Sequence, residues 1–296
     1  MNKKTFGIAV VQAASVLFDP GETIRKMEQL VKEAAGNGAR LVLFPETFVS
    51  GYPRGLGFGT VVGSRSDLGR QTWLRYWNSA IEKTGEESRQ IGKIAEKYKV
   101  FLITGVTERS RIGGTLYCTT LYYNPEGQLF GSHRKIKPTG AERIIWGEGD
   151  GSDLDVFQTT FGRIGGLTCW ENYMPDARIK LYRQGIELYM APTADGRDTW
   201  SATMQHIAME GRCFVLGSNQ YVTKSMYPQD LPGLKDLERQ PEVMSRGGSL
   251  IVHPLGEILA GPLYDQEGIL YADFDREELI KSRLDFDVIG HYYREL

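Results

Sequence analysis

Strand-like and helix-like segments alternate along this 296-residue chain, and their order is the feature that most constrains its fold. Residues 6–14 have the pattern of a buried strand, and residues 22–35 place apolar side chains at helical spacing. Residues 41–44 form a second apolar run, residues 86–98 repeat the helical pattern, and residues 100–106 form a strand with almost no polar interruption. The first third of the chain therefore predicts strands and helices that pack against each other in layers.

The middle of the chain changes to hairpins before the alternation returns. Residues 116–131 predict a hairpin whose turn is the Asn-Pro-Glu-Gly stretch at 124–127. The later segments are predicted as helix 175–184, strand 186–191, helix 197–211, strand 214–216, hairpin 247–260 and strand 268–273. This pattern indicates a mixed sheet system covered by helices, and two sheets packed face to face between helix layers would satisfy it.

Composition and length predict one substantial core. With 41% hydrophobic and 24% charged residues, the chain is an ordinary globular protein by composition. No internal repeat or interdomain linker is evident, so we expect a single domain over residues 1–296. Residues 223–246 are polar and rich in Pro, Asp and Arg, which predicts a long loop.

Charge and hydropathy argue against two classes of partner. The formal net charge of −2 provides no attraction for nucleic acid or an anionic membrane surface. No apolar stretch approaches the ~20 residues that span a bilayer. The apolar run at 6–11 is short and is followed by Gln12, so it suits a first strand better than a signal peptide. We therefore expect no nucleic-acid partner, no membrane partner and a cytoplasmic protein.

Three cysteines, Cys118, Cys169 and Cys213, are the candidate thiol nucleophiles. Their odd number and the lack of CxxC spacing argue against a disulfide framework, which agrees with a reducing compartment. Cys118 lies in an apolar strand and Cys213 at a helix-to-strand junction, where a free cysteine is more often a small buried hydrophobe. Cys169 lies at a strand-to-helix turn among polar neighbours, where the following helix N-terminus can favour the thiolate.

Two carboxylates and a lysine could assist such a nucleophile. Glu46 follows the apolar run at 41–44, and burial there would raise its pKa toward the range useful for a general base. Lys135 lies in a short basic run that could equally be a solvated surface. Glu142 could likewise pair with Arg143 on the surface. Each of these signals is modest when it is taken alone.

Metal chemistry has no support in the sequence. The four histidines are dispersed and show no ligand spacing. They are His133, His206, His253 and His291. We therefore expect neither a metal nor a cofactor.

Three spaced segments resemble one known family. They are FPETFVSGYPRG at 44–55, HRKIKPTGAERIIWGEGDG at 133–151 and TCWENYMP at 168–175. Together they resemble the nitrilase branch of the carbon–nitrogen hydrolases, closest to the plant-type nitrilases and their bacterial relatives. IELYMAPTADG and HIAMEGRCFVLGSNQ fit the same branch, and the resemblance runs from the first strand to the GHYYRE segment. The segments occur in the order expected for the family, so the match is specific.

The resemblance implies roles by position. Cys169 would be the nucleophile, Glu46 the general base and Lys135 the group that stabilises the developing charge. Glu142 would be a second carboxylate that orients the site. Lys137 lies beside the same motif and is a secondary candidate, because the family pattern places the lysine directly after the arginine.

The resemblance also implies the architecture and the assembly. The expected fold class is α/β, a four-layer α-β-β-α sandwich that pairs into a homodimer or a higher homo-oligomer. The expected partner is a small-molecule nitrile. The backbone N–H of Trp170 is predicted to stabilise developing charge. Four residues near the motif segments are predicted to bind substrate: Tyr52, Trp146, Tyr189 and Thr193.

A cysteine suits nitrile hydrolysis because a nitrile carbon is weakly electrophilic and a thiolate is a strong, soft nucleophile. Cys169 would form a thioimidate, then a thioester, and water would release the carboxylic acid. An amidase or N-carbamoyl hydrolase could use the same three residues, although the Trp-Glu-Asn sequence after Cys169 favours the nitrilase branch. A non-catalytic binding protein with this fold would not need the intact residue set, and a redox protein would need a resolving cysteine near Cys169.

Overall fold

Two mixed β-sheets stacked face to face form the centre of the structure, a computed structural model that describes residues 5–294. The ends of the expected domain, residues 1–4 and 295–296, lie outside the described residues. The strands are β1 Thr5–Gln12, β2 Ala39–Leu43, β3 Phe101–Arg109, β4 Leu116–Tyr123, β5 Leu129–Arg134, β6 Phe157–Gln158, β7 Arg163–Gly166, β8 Leu188–Pro192, β9 Phe214–Ser218, β10 Tyr221–Thr223, β11 Val243–Val252, β12 Ile258–Tyr264 and β13 Gly268–Asp275.

Helices cover the outer faces of this pair of sheets. The helices are α1 Pro20–Gly36, α2 Asp67–Ser79, α3 Glu86–Tyr98, α4 Pro175–Arg183, α5 Thr199–Gly211 and α6 Arg276–Ser282. Of these, α1 and α3 pack on the outer face of the sheet that contains β1, and α4 and α5 pack on the outer face of the sheet that contains β8. Short 3₁₀ turns lie at Gly140–Ile144, Cys169–Tyr173, Lys224–Met226 and Leu234–Leu237. None of the described helices combines the length and the apolar character needed to cross a membrane.

The first sheet has the strand order β13-β1-β2-β3-β4-β5. β1, β2 and β3 are parallel, whereas β4, β5 and β13 pair antiparallel with their neighbours. Two reversals of direction separate β3 from β5, so β5 runs in the same direction as β2. The carboxyl ends of β2 and β5 therefore lie at the same edge of the sheet.

The second sheet has the order β10-β11-β9-β8-β7-β6, with β12 paired to β11 beside this path. β7, β8 and β9 are parallel, so the chain leaves all three at one edge. β6, β10, β11 and β12 pair antiparallel with their neighbours. Each sheet therefore has a parallel centre, from which loops emerge on one side.

Alternation of side chains along the strands builds three layers of core. In β1, Val11 packs in one cluster with Val31 of α1, whereas its neighbour Val10 packs in another cluster with Met190 of β8. The far face of the second sheet packs against α4 and α5. The layer order is helix, sheet, sheet, helix, which confirms the α-β-β-α sandwich expected from the sequence.

Most elements with a strong apolar period lie where the sequence predicts them. α3 occupies the predicted residues 86–98, and the two predicted hairpins form as β4–β5 and β11–β12. α2 has no counterpart among the elements expected from the sequence. Its buried face includes Gly69, Thr72 and Ser79, so it lacks the aliphatic stripe on which a periodicity argument depends.

The predicted loop at 223–246 is largely irregular. It contains two of the short 3₁₀ turns, and β11 begins at Val243, inside the predicted loop. Part of this segment lies beside the catalytic-motif loops, where Tyr227 donates a hydrogen bond to the carbonyl of Arg54 at 2.7 Å. The loop therefore packs against the segment that follows β2.

The segment that follows β2 crosses β3 at Gly105 with very little space. The Gly105 N–H donates to the Pro45 carbonyl at 3.1 Å. A Cβ at position 105 would lie 2.3 Å from the backbone nitrogen of Thr47 and 2.5 Å from the Pro45 oxygen. Glycine permits this close approach, which sets the position of Glu46 beyond the end of β2.

Gly105→Ala is expected to lower the free energy of unfolding by about 1–3 kcal/mol or more, because the new methyl group must push the 45–47 segment away from β3. Urea unfolding followed by circular dichroism measures this change. Gly114→Ala is the matched control: a Cβ there meets nothing within 4 Å, and we expect a change within about 0.5 kcal/mol. Equal stabilities for the two variants would contradict the close approach.

Candidate active site

The segments that follow β2, β5 and β7 converge at one edge of the stacked sheets. They carry Glu46, Lys135 and Cys169, the three residues singled out from the sequence. Glu46 and Lys135 are 89 residues apart in the chain and are in direct contact. The charges of both act on the thiol of Cys169, which places all three groups in one electrostatic environment.

Lys135 forms the centre of a buried ionic cluster. Its Nζ donates to Glu46 Oε1 and to Glu142 Oε2, each at 2.7 Å. The side chains of Lys135 and Glu46 are fully buried, and that of Glu142 is 8% exposed. An ammonium group has three N–H donors, so one donor remains after the two carboxylates are satisfied.

Glu142 is held by donors on both carboxylate oxygens. Its Oε2 accepts the backbone N–H of Thr139 at 2.6 Å, in a reciprocal capping box at the start of the Gly140–Ile144 turn. Its Oε1 accepts from the Tyr52 hydroxyl at 2.6 Å. These contacts fix the orientation of the carboxylate that faces Lys135.

The two oxygens of Glu46 have different surroundings. Oε1 accepts from Lys135 and from the Cys118 thiol, whose sulfur lies 3.4 Å away. Oε2 is buried and has no hydrogen-bond partner among residues 5–294. Burial raises the pKa of Glu46, an effect that the charge of Lys135 opposes and the charge of Glu142 reinforces. One fully buried acceptor atom is therefore left unpaired beside the cluster.

Lys135 remains charged despite its burial. Desolvation on its own would lower the pKa of this lysine, but the negative charges of Glu46 and Glu142 raise that pKa well above its usual value. The ring of Trp146 also lies 5.8 Å from Nζ, a distance at which a cation is attracted to an aromatic face. The cluster thus keeps a permanent cation at neutral pH.

Cys169 begins a tight 3₁₀ turn directly beyond β7. Its backbone has φ of 53°, in the left-handed region that non-glycine residues seldom adopt. The Asn172 amide donates to the Cys169 carbonyl at 2.7 Å and to the Leu167 carbonyl at 3.0 Å. The Thr193 hydroxyl donates to the sulfur at 3.3 Å. The turn is therefore held by side chains from its own segment and from the loop after β8.

The sequence predicts that a following helix N-terminus can favour the thiolate of Cys169, and in the structure burial outweighs this effect. Burial and the charge of Glu46 raise the pKa of the Cys169 thiol to about 12, although Lys135 acts in the opposite direction. The turn is only five residues long, and α4 begins at Pro175, several residues after the sulfur. In the substrate-free protein the group is a thiol, so an attack on an electrophile must remove its proton.

A cavity of about 610 Å³ opens onto Cys169 and Glu142. Tyr52 lines this cavity and also an adjoining one of about 470 Å³, which Trp146 lines as well. Trp170 lies at the wall of the first cavity, where its indole is 41% exposed and its Nε1 donates to Asp195 at 2.9 Å. Small organic molecules of moderate size fit a space of this volume.

Two of the residues predicted to bind substrate do not line either cavity. Tyr189 lies in the core behind the Cys169 turn, where its hydroxyl donates to Asn172 at 2.8 Å, and it does not line either cavity. Thr193 contacts the Cys169 sulfur and is not part of the cavity lining. Lys137, the secondary lysine candidate, pairs with Glu148 on the surface at 2.5 Å.

The structure adds residues that the sequence analysis did not assign to the site. Cys118 was expected to be a buried hydrophobe, and it is buried, but its thiol also contacts Glu46. Asn172 was not singled out, although it braces the Cys169 carbonyl. No local sequence pattern could predict the contact between Cys118 and Glu46, because β4 and the segment after β2 come together only in the folded sheet.

Metal-ligating side chains do not cluster here. Within residues 5–294, no three or more His, Cys, Asp or Glu residues are arranged to hold a metal ion. The polar groups at and behind the cavity wall are instead a thiol, an ammonium and two carboxylates, and the ammonium donates to both carboxylates. Their arrangement can transfer a proton between sulfur and a carboxylate beside a fixed positive charge.

Comparison with known proteins gives one consistent result. The family model described as carbon-nitrogen hydrolase matches residues 7–283. An aliphatic nitrilase from Sinorhizobium fredii is 50% identical over 289 residues, covering 98% of this chain and 92% of that protein. The bifunctional nitrilase/nitrile hydratase NIT4A from Lupinus angustifolius is 46% identical over 297 residues, covering 99% of this chain and 84% of that protein.

Solved structures show the same fold at low sequence identity. Nit3 from Saccharomyces cerevisiae superposes with a TM-score of 0.74 at 19% identity, covering 98% of this chain and 97% of that chain. An amidase from Nesterenkonia superposes with a TM-score of 0.72 at 19% identity, covering 96% of each chain. Both matches agree with the α-β-β-α layer order described above.

Lys135→Met is expected to lower the free energy of unfolding by about 3–5 kcal/mol at pH 7, because it leaves two buried carboxylates without their cation. Urea unfolding measures the change. Lys137→Met removes the same charge from the exposed pair with Glu148 and should change stability by less than about 0.5 kcal/mol. Similar losses in the two variants would contradict the central place of Lys135 in the buried cluster.

Proposed function

The chain belongs to the carbon–nitrogen hydrolase family, and we propose that it is a nitrilase, which hydrolyses an organic nitrile to the carboxylic acid and ammonia. The observation that carries the proposal is the Cys169 thiol on a cavity wall, within the field of the Glu46–Lys135–Glu142 cluster. Two relatives that are named nitrilases, at 50% and 46% identity, support a nitrile as the substrate.

In the first step the thiol of Cys169 adds to the nitrile carbon. The unpaired Oε2 of Glu46 is the base that accepts the thiol proton, since its partner Oε1 is already occupied by Lys135 and Cys118. A sulfur–carbon bond forms, one carbon–nitrogen bond order is lost, and the proton passes to the nitrogen. The product of this step is a thioimidate covalently bound to the enzyme.

Developing negative charge in this step needs a nearby donor. The third N–H of the Lys135 ammonium is not used by the carboxylates, and the high pKa of Lys135 keeps that donor in place. The backbone N–H of Trp170, at the start of the Cys169 turn, is the second proposed donor, because the first N–H groups of a helical turn lack partners within it. Glu142 keeps Lys135 oriented.

Two water molecules complete the reaction. The first adds to the thioimidate carbon, and loss of ammonia from the resulting tetrahedral intermediate leaves a thioester on Cys169. The second, deprotonated by Glu46, attacks the thioester, and the sulfur leaves as the thiol with the returned proton. The sum is one nitrile and two waters converted to one carboxylic acid and one ammonia.

The tetrahedral intermediate after the first water can also break at its carbon–sulfur bond. That branch would release the amide instead of ammonia, so amide is a possible second product of the same site. The name of the lupin relative, a bifunctional nitrilase/nitrile hydratase, supports including this branch. The proportion of acid and amide depends on which bond of the intermediate breaks first.

Substrate contacts are proposed for the residues that face the cavities. Tyr52 and Trp146 present aromatic surface close to the ionic cluster, with Tyr52 bonded to Glu142. Thr193 acts on the nucleophile through its hydrogen bond to the sulfur. Tyr189 is left out of the proposed substrate site, because it supports the Cys169 turn from within the core.

We also propose that the chain works in the cytoplasm as a homodimer or a higher homo-oligomer. The family resemblance supports the assembly. The cysteines support a reducing compartment, because all three are free and buried. An oxidising compartment would offer no benefit to a mechanism that depends on a free thiol at Cys169.

Cys169→Ala is expected to reduce ammonia release from nitriles by about 10⁴-fold or more, since the covalent pathway is removed. Cys213→Ala is the matched control, because Cys213 is equally buried but lies in the α5–β9 core. Intact-mass spectrometry of the wild-type enzyme during turnover should show an adduct on Cys169. Full activity in Cys169→Ala would overturn the mechanism, and turnover of amides with no acid from nitriles would replace the nitrilase by an amidase.

The pH dependence of kcat/KM tests the role of Glu46. The active form is the carboxylate and burial raises its pKa above the usual 4.5, so activity should fall as the pH drops through a value above 4.5. The Cys118 thiol lowers the pKa of Glu46, so Cys118→Ala should move this acid limb to higher pH. Cys213→Ala should not move it. An acid limb at 4.5 in the wild-type enzyme would argue against Glu46 as the base.

A further inference from the structure

A second ionic cluster, with two buried members and one half-buried carboxylate, joins the Cys169 turn to the strand that leads into Lys135. It consists of His133, Glu171 and Asp153, none of which lines the cavity described above. Glu171 follows Cys169 by two residues, and His133 precedes Lys135 by two residues. The cluster therefore touches both catalytic segments without entering the space for the substrate.

Glu171 links the two segments through a single carboxylate. Its Oε2 accepts the backbone N–H of Thr168 at 2.8 Å, within the turn that presents Cys169. Its Oε1 accepts the backbone N–H of Ile136 at 2.5 Å, directly after Lys135. Both oxygens are buried, so water does not compete for these bonds. The spacing between the thiol turn and the lysine segment is thus set by the width of one carboxylate group.

His133 completes the link from the other side. Its Nε2 lies 3.1 Å from Glu171 Oε2 and 3.3 Å from Oε1. Its Nδ1 lies 3.2 Å from Asp153 Oδ1, while Asp153 Oδ2 accepts the backbone N–H of Arg134 at 2.9 Å. Each ring nitrogen therefore faces a carboxylate, and an imidazole can donate to both only when it carries two protons.

The groups around the ring favour its charged form. Burial on its own would lower the pKa of His133, but the charges of Glu171 and Asp153 and their hydrogen bonds raise it to about 9. The other titratable or charged groups around this cluster are Tyr122 on β4, Lys83 near Asp153, and Arg134 and Lys135 on the same segment as His133. At neutral pH the ring is therefore an imidazolium between two carboxylates.

The Cys169 turn needs such support. The left-handed backbone of Cys169 is a conformation that persists only where the surrounding structure determines it. Asn172 holds the turn from one side, and Thr168 is held through its N–H to Glu171 and its hydroxyl to Thr120 at 3.1 Å. Loss of the Glu171 contacts would free the start of the turn.

We propose that His133, Glu171 and Asp153 form a positioning brace, which holds the Cys169 sulfur and the Lys135 ammonium at the separation that one nitrile group requires. The inference rests on the proposed nitrilase function. His133 and Glu171 are positioning residues, since neither touches the substrate space. Their effect is on the alignment of attack, where a misplacement of about 1 Å costs on the order of 10²-fold in rate.

The brace has a consequence for pH. It is complete below the His133 titration and weakens as the ring loses its proton near pH 9, so kcat should fall as the pH rises through that value. The pKa of Cys169, about 12, and the pKa of Lys135 are both higher than 9. These two groups therefore do not cause kcat to fall near pH 9, and the alkaline limb of the kcat profile is assigned to His133. Folding stability should decline as the pH rises from about 6.5 to about 9, since the folded protein holds this proton more tightly than the unfolded chain.

His133→Gln tests the brace by steady-state ammonia release. At pH 7 we expect kcat to fall by about 10- to 100-fold with KM changed by less than about threefold, because alignment rather than binding is lost. The alkaline limb near pH 9 should be absent from this variant. His253→Gln is the matched control: His253 is another largely buried histidine near a glutamate, 3.5 Å from Glu278, and lies away from the cavity. It should retain the kcat and the limb of the wild type.

Asp153→Asn provides a milder variant if His133→Gln does not fold. Asparagine keeps an oxygen for the Arg134 N–H but removes the charge that raises the pKa of His133. The alkaline limb should move to lower pH by several tenths to about one unit. An unchanged limb in Asp153→Asn, or a wild-type kcat in folded His133→Gln, would overturn the brace.

Failure of the proposed function would look different. In that case the wild-type enzyme would release no ammonia from aliphatic, arylaliphatic or aromatic nitriles at any pH. The charge of the brace can then be read by NMR titration of histidine-labelled wild-type protein, compared with His133→Gln for assignment. A ring that titrates near pH 9 would support the brace, and one that titrates near 6.5 would overturn it.

Discussion

A buried ammonium between two carboxylates is the interaction on which the candidate site depends. Lys135 is bonded to Glu46 and Glu142 at 2.7 Å, and removing these charges from water is costly unless they pair. The pairing keeps Lys135 charged, and it occupies one oxygen of Glu46, while the other oxygen has no hydrogen-bond partner within the described part of the chain. A permanent cation and an unpaired base therefore lie beside the thiol before any substrate arrives.

The second ionic cluster uses the same pairing of charges to fix the positions of the segments that carry Cys169 and Lys135. Charges inside the protein are tolerated where each has partners of fixed geometry, and such networks resist small displacements. The imidazolium of His133 and the carboxylate of Glu171 tie the two catalytic segments together outside the cavity. One network therefore sets the protonation of the reacting groups, and the other is proposed to set the distance between them.

Much of the fold could be predicted from hydrophobic periodicity, and the failures have physical causes. α3 and the two hairpins follow from strong apolar periods, whereas α2 buries Gly69, Thr72 and Ser79 and leaves no such period. Tyr189 was predicted as a substrate contact because it lies near a motif in the sequence. Nearness in sequence does not indicate on which side of a strand a ring lies, and in the structure the Tyr189 hydroxyl donates to Asn172 within the core. The sequence also did not indicate how strongly burial, rather than a helix dipole, would determine the pKa of Cys169.

The amino-acid sequence by itself determined the layer order, the family and the identity of the three groups proposed for catalysis. Apolar residues that recur every two positions in strands and every 3.6 positions in helices indicate which faces are buried. The positions of the motifs indicate which residues follow which strands. Only the tertiary structure decided that Cys118 contacts Glu46, that Glu171 spans two segments and that Cys169 is held as a thiol. These are contacts between residues far apart in the chain, and the desolvation that governs their charges exists only once the sheets have packed.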